Sequence, residues 1–546
     1  MDNLVNIDCS RYSNKMSRKF FYILLVLIIF LGGYLRIVKL DSIPPHLGND
    51  EISIAYDSYS MRVIGKDEHG NAWPLSFESH RSYKAPLYAY LNMPINWLLG
   101  NNEYGVRLLS AIFGTAAIVL IVGFGKFLNG DVLALFAALI LAFNPKAIFV
   151  SRIGYESNVA YVVMSLGVLF MFYFLRKKKI FYALLAGLLL GLSIWGYHTE
   201  WGLAPMLAIV LPFLSRKEIA FKKWWPMWLV MVLVALPIFY DFVAVQRKDV
   251  NNRANSQLWF SAGQMQDYLK DTGDRPSKKF MTVALTPINN YLDHFSLDSM
   301  FSSGVDMFNG ESPLESGWFL LVCLPLLIIG LVKIKNIFGK YWSWILSWWL
   351  LCPIVPALTY GGVASVRNLA FIIPTILIMS GGALAVWRQS HKWSIIFVFM
   401  FVFNFFVFAL SYYIHFPVDS GNNFQYGYKE AWEFIKPNID QYDKVVVETR
   451  FGEFGQFTGV PHLYFGYFEA FSAEDMQNRV DINGTIGKFE FKYVDWNQEE
   501  YSPNAIYIVS AINPKAGKIA DNLKELTLIR NMDFSPQFLI YETIVD

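Results

Sequence analysis

The sequence predicts a polytopic α-helical membrane protein with a small α/β domain at its C-terminus. Hydrophobic residues make up 54% of the 546 residues and charged residues only 16%, a composition too apolar for a soluble chain. Eleven apolar segments approach the ~20 residues that a helix needs to cross a hydrocarbon core of about 30 Å. Basic residues are concentrated in every second connection between these segments. Together these three observations predict the fold class.

The predicted spans follow one another along the chain, with a basic tail in front of the first and a long polar stretch after the last. They cover residues 20–39, 106–125, 131–150, 157–175, 180–197, 200–215, 225–245, 317–332, 341–358, 368–387 and 393–416. A basic tail before an apolar segment is also typical of a signal peptide. Because the first span is long and no small-residue cleavage site precedes Pro44, we expect a retained anchor.

Positive charges predict the orientation of the spans. If the tail (residues 1–19) is cytoplasmic, all the short basic connections lie on the cytoplasmic side of the cell membrane. Their basic residues are Lys126, Arg176, Lys177, Lys178, Lys179, Arg216, Lys217, Lys222, Lys223, Lys333, Lys335, Lys340, Arg388 and Lys392. An odd number of spans then leaves outside two loops, of about residues 41–104 and 247–316, and residues 417–546. The predicted domains are the tail, a membrane domain of residues 20–416 and an extracytoplasmic domain of residues 417–546.

The C-terminal stretch has the pattern of an α/β domain. The segment "YKEAWEFIKPNI" predicts a helix, and the β-branched run "KVVVET" that follows it predicts a strand. Three later segments, "NAIYIVSA", "KELTLIRNM" and "QFLIYETIV", predict further strands. The net charge of +2 gives no reason to expect a nucleic-acid partner. The three cysteines have neither metal-binding spacing nor the pattern of a disulfide framework.

Adjacent carboxylates in "HLGNDEISIAYDSYS" follow closely on the first span. Two prolines and a glycine predict a turn there, so that Asp50 and Glu51 begin a new helix at the outer membrane surface. The apolar stripe of that helix predicts that it lies along the membrane; the stripe contains Ile52, Ala55, Tyr56, Tyr59 and Val63. Asn49 or Asp50 as a helix cap and Asp50 as a functional carboxylate are both open on position alone.

Cations and a second acid recur in the same predicted outer regions. Lys84 precedes another apolar stretch, where it would reach the lipid headgroups or hold a lipid phosphate. Arg107 stands at the outer mouth of the second span, and arginine suits phosphate because its fork of donors matches the oxygens. The next outer turn contains Arg152, Tyr155 and Glu156. A local ion pair between Arg152 and Glu156 is the structural alternative to a functional role.

Separated carboxylates and fixed cations on one surface suit glycosyl transfer from a phosphate-linked lipid. A carboxylate such as Asp50 or Glu156 would deprotonate an acceptor hydroxyl as it attacks the anomeric carbon. The cations Lys84, Arg107 and Arg152 would stabilise the departing phosphate. The sequence contains no nucleotide-binding glycine motif in the required context, in keeping with a donor that is not a nucleotide sugar.

These motifs resemble those of a known superfamily. The order "NDEISIAYDSYSMRVIGKDEHG", "SYKAPLYAYL", "YGVRLLSAIFG" and "SRIGYESN" is similar to bacterial glycosyltransferases of family 39, which are related to protein O-mannosyltransferases and aminoarabinose transferases in the GT-C superfamily. The resemblance covers roughly residues 20–220. It implies a GT-C fold of many membrane helices with interfacial helices in the first outer loop and a soluble C-terminal part.

The resemblance also implies roles for individual residues. Asp50 matches the catalytic aspartate of the family, and Glu51 matches its neighbour. Lys84 matches the lysine that contacts the carrier phosphate, although Ala85 replaces a proline that the family often has. Glu156 falls where relatives have a second acidic residue, commonly aspartate.

Further residues are implied around the same cavity. The stretch "GLSIWGYHTEWGLAPML" resembles two family helices joined by a short outer turn, which would aim His198 and Glu200 at the cavity. Arg367 begins a late helix as a phosphate ligand or an interfacial anchor. Residues predicted to bind the acceptor or the sugar are Tyr56, His80, Tyr155, His198 and Glu200. The spacing of His46, His80, His198 and Glu200 matches no metal motif, so we expect no metal or cofactor.

The sequence as a whole predicts an inverting glycosyltransferase. It would move a sugar from a polyprenyl phosphate of the undecaprenyl or dolichyl type to a hydroxyl group of a protein, lipid or glycan on the outer face of the membrane. Inversion is expected because one base-activated hydroxyl displaces the phosphate directly. The alternatives are a transporter or flippase of lipid-linked sugars, with carboxylates that couple to protons, and a membrane scaffold without catalytic activity.

Overall fold

The computed structural model of the protein is a helical bundle with a mixed β-sheet region at one end. It describes residues 17–79, 82–245, 276–302, 316–359, 365–452, 457–478, 484–500 and 502–544. His80 and most of the predicted loop of residues 247–316 lie outside these ranges. Residues 417–546 are called the C-terminal region below.

The described part of the bundle, up to residue 419, consists of helices and one β-hairpin. They are α1 (Arg18–Ile37), α2 (Asn49–Ile64), β1 (Phe77–Ser79), β2 (Ser82–Lys84), α3 (Leu87–Leu99), α4 (Glu103–Leu128), α5 (Asp131–Ala142), α6 (Pro145–Val150), α7 (Glu156–Lys177), α8 (Ile180–Ile194), α9 (Glu200–Leu214), α10 (Trp225–Ala244), α11 (Pro276–Asp293), α12 (Leu324–Val332), α13 (Ile334–Phe338), α14 (Trp342–Leu351), α15 (Ile354–Ala357), α16 (Ile372–Gln389), α17 (His391–Leu410) and α18 (Phe416–Asp419).

Each of the eleven predicted apolar segments coincides with one or more of these helices. Among the described residues, six helices are long and apolar enough to cross a membrane, or seven if a pair bent by 75° between residues 321 and 357 counts as one span. Helices α5, α8 and α9 are apolar but shorter. The protein is therefore a multi-span membrane protein, and the total of eleven crossings stays a prediction.

Small residues allow the helices of the bundle to pack closely. A Cβ atom at Gly187 of α8 would lie 2.3 Å from the carbonyl oxygen of Met227 in α10. A Cβ atom at Gly382 of α16 would lie 2.0 Å from the carbonyl oxygen of Leu326 in α12. Such backbone contacts are the main source of helix association where lipid removes the hydrophobic driving force.

The C-terminal region combines a six-stranded sheet with short helices. Its elements are α19 (Tyr428–Ile435), β3 (Lys444–Glu448), β4 (Arg450–Phe451), β5 (Phe457–Thr458), α20 (Pro461–Tyr467), α21 (Ala473–Gln477), β6 (Thr485–Ile486), β7 (Phe489–Lys492), β8 (Ala505–Ser510), β9 (Leu523–Arg530) and β10 (Pro536–Thr543). The order of the strands is β6-β7-β3-β8-β10-β9, with β3 parallel to both of its neighbours. The helix and the four strands that the sequence predicts all occur.

Helix α2 differs from its prediction as a one-sided helix on the membrane surface. All eleven residues from Glu51 to Met61 are buried. One side of α2 packs on α3, and α20 of the C-terminal region packs against another. Four residues of the predicted stripe (Ile52, Ala55, Tyr56 and Tyr59) pack in one cluster with the C-terminal region, which therefore covers the face that was expected to lie on the membrane, whereas Val63 is exposed. Whether α3 lies in the interface remains a prediction.

A buried acid in the sheet predicts how stability depends on pH. Glu448 ends β3 and is fully buried, and its carboxylate accepts hydrogen bonds from the N–H of Ser510 (2.7 Å) and the side chain of Asn513 (3.0 Å). Burial raises the pKa of Glu448 from 4.5 to about 7, against the opposing effect of these hydrogen bonds. The folded protein thus binds more protons than the unfolded chain between pH 4.5 and 7. Its free energy of unfolding falls as the pH rises through this window, by up to about 3 kcal/mol.

The variant Glu448→Gln tests this pH dependence, because a glutamine does not titrate. We expect the Tm of the variant minus the Tm of the wild type to increase from pH 5 to pH 8. Both values are measured in detergent by scanning fluorimetry. The loss of one hydrogen bond shifts the whole difference curve but leaves its slope. A flat difference curve would show that Glu448 is ionised throughout.

Candidate active site

Asp50 and Lys84 form an ion pair at the N-terminus of α2. The Nζ atom of Lys84 lies 3.2 Å from Oδ1 of Asp50 and donates to the carbonyl oxygen of Asp50 at 3.2 Å. The side chain of Lys84 is 5% exposed, whereas that of Asp50 is 59% exposed. A buried ammonium group needs a partner to offset its desolvation. The pair therefore presents an accessible carboxylate beside a cation that is fixed in place.

The β-hairpin of β1 and β2 holds Lys84 in this position. Phe77 pairs with Lys84 across the hairpin and is itself buried against α2 and α3. The hydroxyl groups of Ser79 and Ser53 lie 3.1 Å apart, which ties the hairpin to α2. The hydroxyl of Ser76 donates to Asp241 at the end of α10, at 2.5 Å. Three anchors thus fix β1 and the residue before it, and the pairing of β1 with β2 holds the strand that ends at Lys84.

Glu51 is fully buried and links three parts of the chain. Its Oε2 atom accepts the N–H of Gly48 at 3.0 Å, so the residue before α2 is capped by Glu51 and not by Asn49 or Asp50 as predicted. Its Oε1 atom accepts the N–H of Gly154 at 2.7 Å. Both oxygens also accept from Arg107, at 2.9 and 3.1 Å. Glu51 thus has no exposed oxygen for a substrate, and its bonds fix the start of α2 beside Asp50.

Arg107 uses all five of its N–H groups within the protein. Besides Glu51, it donates to the carbonyl oxygens of Leu40 (3.1 Å), Pro44 (2.8 Å) and His46. Its side chain is fully buried. In this conformation Arg107 has no N–H group left for a phosphate. This differs from the prediction that Arg107 binds the phosphate of the sugar donor. It clamps the turn that leads from α1 to Asp50.

Arg152 has a similar role on the same turn. It donates to the carbonyl oxygens of Leu35 (3.0 Å), Lys39 (2.9 Å) and Ile43 (3.0 Å) and is fully buried. These carbonyls belong to the end of α1 and the loop that follows, where the helix leaves acceptors without partners. The bonds of Arg152 thus go to the end of α1 and do not support the local pair with Glu156 that was the structural alternative.

A second group of predicted residues lies around the same end of the bundle. The bond from Gly154 to Glu51 places the turn before α7 next to α2. Glu156 is the first residue of α7 and is 6% exposed, and Tyr155 precedes it half-buried. The N–H of Leu87, three residues after Lys84, donates to the carbonyl of Trp195 at 3.1 Å. This bond places the turn of residues 195–200 beside the lysine segment.

The turn of residues 195–200 presents His198 and Glu200. Glu200 begins α9 and is 3% exposed, and its Oε2 atom has no hydrogen-bond partner among the described residues. The ring of His198 is half-buried, with its centroid 4.9 Å from that of Trp201. A buried carboxyl in a membrane bundle is costly and is usually functional. The position of Glu200 in a substrate cavity stays a prediction.

The other predicted residues have different settings. Arg367, in a short 3₁₀ helix against α7, donates to the hydroxyl of Thr359 at 2.8 Å and is half-buried. Tyr56 is fully buried in the core that α2 shares with the C-terminal region, so the structure gives it a packing role. His80 lies outside the described residues. Within the described part of the chain, no three His, Cys, Asp or Glu side chains are grouped to hold a metal ion.

Buried charged residues that the sequence analysis did not single out include Lys146 and Asp57. Lys146 of α6 is 2% exposed, and its Nζ atom lies 4.9 Å from the ring centroid of Phe149 and 5.9 Å from that of Trp318. Its signal was a lysine within the predicted span of residues 131–150. Asp57 lies two turns after Asp50 on α2 and is 1% exposed. Burial, reinforced by Glu68 and Asp67, raises the pKa of Asp57 well above its ordinary value.

A comparison with protein families matches part of the chain. Residues 83–243 match the model of a family described as dolichyl-phosphate-mannose-protein mannosyltransferase. That range includes Lys84, Arg107, Arg152, Glu156 and Glu200 but not Asp50. No curated protein matches the chain.

Solved structures of glycosyltransferases share the fold. ArnT from Cupriavidus metallidurans bound to undecaprenyl phosphate is 14% identical with a TM-score of 0.55, over 97% of this chain and 99% of that chain. The apo state of the same protein is 14% identical with a TM-score of 0.53, over 96% of this chain and 98% of that chain. The apo oligosaccharyltransferase from Archaeoglobus fulgidus is 12% identical with a TM-score of 0.50, over 87% of this chain and 64% of that chain. The resemblance to the GT-C superfamily is therefore confirmed, because the chain has the fold of ArnT and residues 83–243 match the mannosyltransferase family.

Proposed function

We propose that this protein is an inverting glycosyltransferase that moves a sugar from a polyprenyl phosphate to a hydroxyl group, with Asp50 as the base. One observation carries the proposal: the exposed carboxylate of Asp50 is held 3.2 Å from the buried ammonium group of Lys84. Both lie at the N-terminus of α2, where free N–H groups and the helix dipole favour anions. The arrangement offers a base and an anion site side by side.

The proposed reaction is one displacement at the anomeric carbon. Asp50 takes the proton of the acceptor hydroxyl while its oxygen forms the new bond to the anomeric carbon. The bond from that carbon to the phosphate oxygen breaks, and its electron pair stays on the phosphate. Lys84 stabilises the charge that develops there. Because the hydroxyl attacks opposite to the leaving group, the configuration inverts.

The donor is proposed from chemistry and from the proteins with the same fold. ArnT was solved with undecaprenyl phosphate, and the matching family is named after dolichyl phosphate mannose. Glu156, Glu200 and His198 border the same end of the bundle and would contact the sugar or the acceptor. Arg367 is the remaining half-buried arginine of the predicted phosphate ligands. The acceptor is a hydroxyl of a protein, lipid or glycan.

The proposed location of the reaction is the outer face of the cell membrane. The excess of positive charge in the connections supports this orientation, and two hydrogen bonds agree with their common side, because they join basic connections that were predicted to be cytoplasmic. Arg388 donates to Asn129 at 2.8 Å, and Lys340 pairs with Glu218 at 2.5 Å. These connections therefore share one end of the bundle. On this orientation the C-terminal region, residues 417–546, is extracytoplasmic.

The variant Asp50→Asn tests the proposed function. Membranes of the source organism that lack the native gene and carry the wild type or a variant are supplied with radiolabelled polyprenyl phosphate pentoses and hexoses. Transfer of the label out of the donor lipid is measured. We expect Asp50→Asn to lower kcat by about 10²–10⁴-fold. Asp57→Asn is the matched control, since Asp57 accepts the N–H of Glu68 at 3.1 Å through Oδ1, which asparagine retains.

The outcomes separate the possible functions. Loss of transfer in Asp50→Asn alone supports the enzyme with Asp50 as base. Full transfer by Asp50→Asn would overturn that role. A labelled donor that crosses the membrane without a new glycosidic bond would identify a flippase. If the wild type neither transfers nor translocates the label, the protein is a membrane scaffold without catalytic activity.

A further inference from the structure

The loop of residues 38–48 brings the chain from α1 to Asp50 along a series of held carbonyl groups. Arg152 and Arg107 hold the carbonyls from Leu35 to His46. The next carbonyl, that of Leu47, accepts a hydrogen bond from the hydroxyl of Tyr464. Tyr464 belongs to α20 in the C-terminal region, 417 residues further along the chain. The last held carbonyl of this series therefore has its donor in the C-terminal region.

Tyr464 is itself rigidly held. Its side chain is fully buried. Its ring centroid lies 4.9 Å from that of His46 and 5.6 Å from that of Tyr428, with which it stacks. Burial raises the pKa of Tyr464 well above its ordinary value, so the hydroxyl keeps its proton and remains a donor at any physiological pH. Such a donor fixes the peptide that follows Leu47.

The segment that Tyr464 controls is short. On its C-terminal side Glu51 is locked by Arg107 and Gly154. On its N-terminal side Arg107 holds His46. Within residues 47–50, Glu51 also holds the N–H of Gly48 and Lys84 holds the carbonyl of Asp50, so loss of the bond to Leu47 would loosen this short segment at the start of α2 without releasing it.

We propose that Tyr464 is a positioning residue for Asp50, through which the C-terminal region sets the orientation of the base. This inference rests on the proposed function, because it assigns Tyr464 a role only in the step that Asp50 performs. Tyr464 does not touch the substrate. It holds the Leu47 carbonyl, three residues before Asp50, so that the carboxylate meets the acceptor hydroxyl and Lys84 at the same time.

The experiment compares Tyr464→Phe with Tyr428→Phe. Tyr428 is the matched control, because it is also fully buried and stacks on Tyr464. Its hydroxyl donates to the carbonyl of Glu448 at 3.2 Å, within the C-terminal region. We expect Tyr464→Phe to lower kcat for sugar transfer by about 10- to 100-fold, the usual consequence of a small misplacement of a reacting group. The KM for the polyprenyl phosphate sugar should stay unchanged, and Tm should fall equally in both variants.

Several results would overturn the positioning role. An equal kcat in the two variants would show that Tyr464 serves stability alone, and a raised donor KM would show that it acts on binding. If Tyr464→Phe does not accumulate, Gly466→Ala tests whether the packing of α20 on α2 acts on Asp50, because its new Cβ would lie 2.9 Å from the ring of Tyr56 in α2. That variant should show the same loss of kcat at constant KM. A wild type without transfer would overturn the proposed function itself.

Discussion

Replacing Arg107 by methionine is expected to lower the free energy of unfolding by about 3–5 kcal/mol, the largest loss of stability predicted for this chain. The change leaves the buried carboxylate of Glu51 without its cation. It also leaves the carbonyls of Leu40, Pro44 and His46 without donors. An uncompensated buried charge is far more costly than the removal of both partners. Tm in detergent and the yield of folded protein measure the effect.

A double-mutant cycle separates the ion pair from the rest of the clamp. Glu51→Gln and Arg107→Met should together lower the free energy of unfolding by less than the sum of the two single changes. Arg216→Leu is the control, since Arg216 is exposed and donates only to the carbonyl of Phe213 at 3.3 Å. It should change stability by less than about 0.5 kcal/mol. An Arg107→Met protein with the wild-type Tm and a raised donor KM would instead support phosphate binding by Arg107.

The membrane helices could be located from the sequence because burial in lipid is a property of each segment by itself. Lys146 was overlooked because hydropathy was averaged over the whole span. One of its aromatic neighbours is Trp318, which is far away in the sequence. The contact of Asp50 with Lys84, 34 residues apart, could be anticipated only from the family resemblance. Spacing alone left both residues with structural alternatives.

The roles of the arginines could not be predicted, because their partners leave no mark on the sequence. Arg107 binds carbonyl groups 61 to 67 residues earlier in the chain, and any residue supplies a carbonyl group. For this reason an arginine near a membrane surface was predicted to bind a phosphate group, whereas in the structure its hydrogen-bond acceptors are main-chain oxygens. Tyr56 was misplaced for a related reason, since the face of α2 that it occupies is covered by residues that follow about 400 positions later.

Lys84→Met is expected to lower kcat/KM for the donor by about 10²–10³-fold with little change in stability. The contrast with Arg107 follows from exposure. Asp50, the partner that Lys84 leaves behind, is 59% exposed and can be solvated by water. The remaining carboxylate therefore adds no buried charge, whereas the departing phosphate loses the cation that stabilises it.

Lys429→Met is the control for Lys84, because it should show the opposite pattern. Lys429 pairs at 2.6 Å with Glu103, which is 5% exposed, so its loss strands a buried carboxylate and should lower Tm. The donor KM should not change, since this pair joins α4 to α19 and neither residue belongs to the proposed site.

The kinetic pattern of Lys84→Met decides what the ammonium group does. A cation that binds the carrier phosphate predicts a raised donor KM together with a lower kcat. A cation that serves only Asp50 predicts an unchanged donor KM and an acid limb of the pH–rate profile that moves to higher pH, because loss of a neighbouring positive charge disfavours the ionised carboxylate. Lys84→Arg would keep the charge but would place a planar guanidinium group where the wild type has a single ammonium nitrogen. A donor KM restored by Lys84→Arg would therefore show that charge at this point, rather than the shape of the group, holds the phosphate.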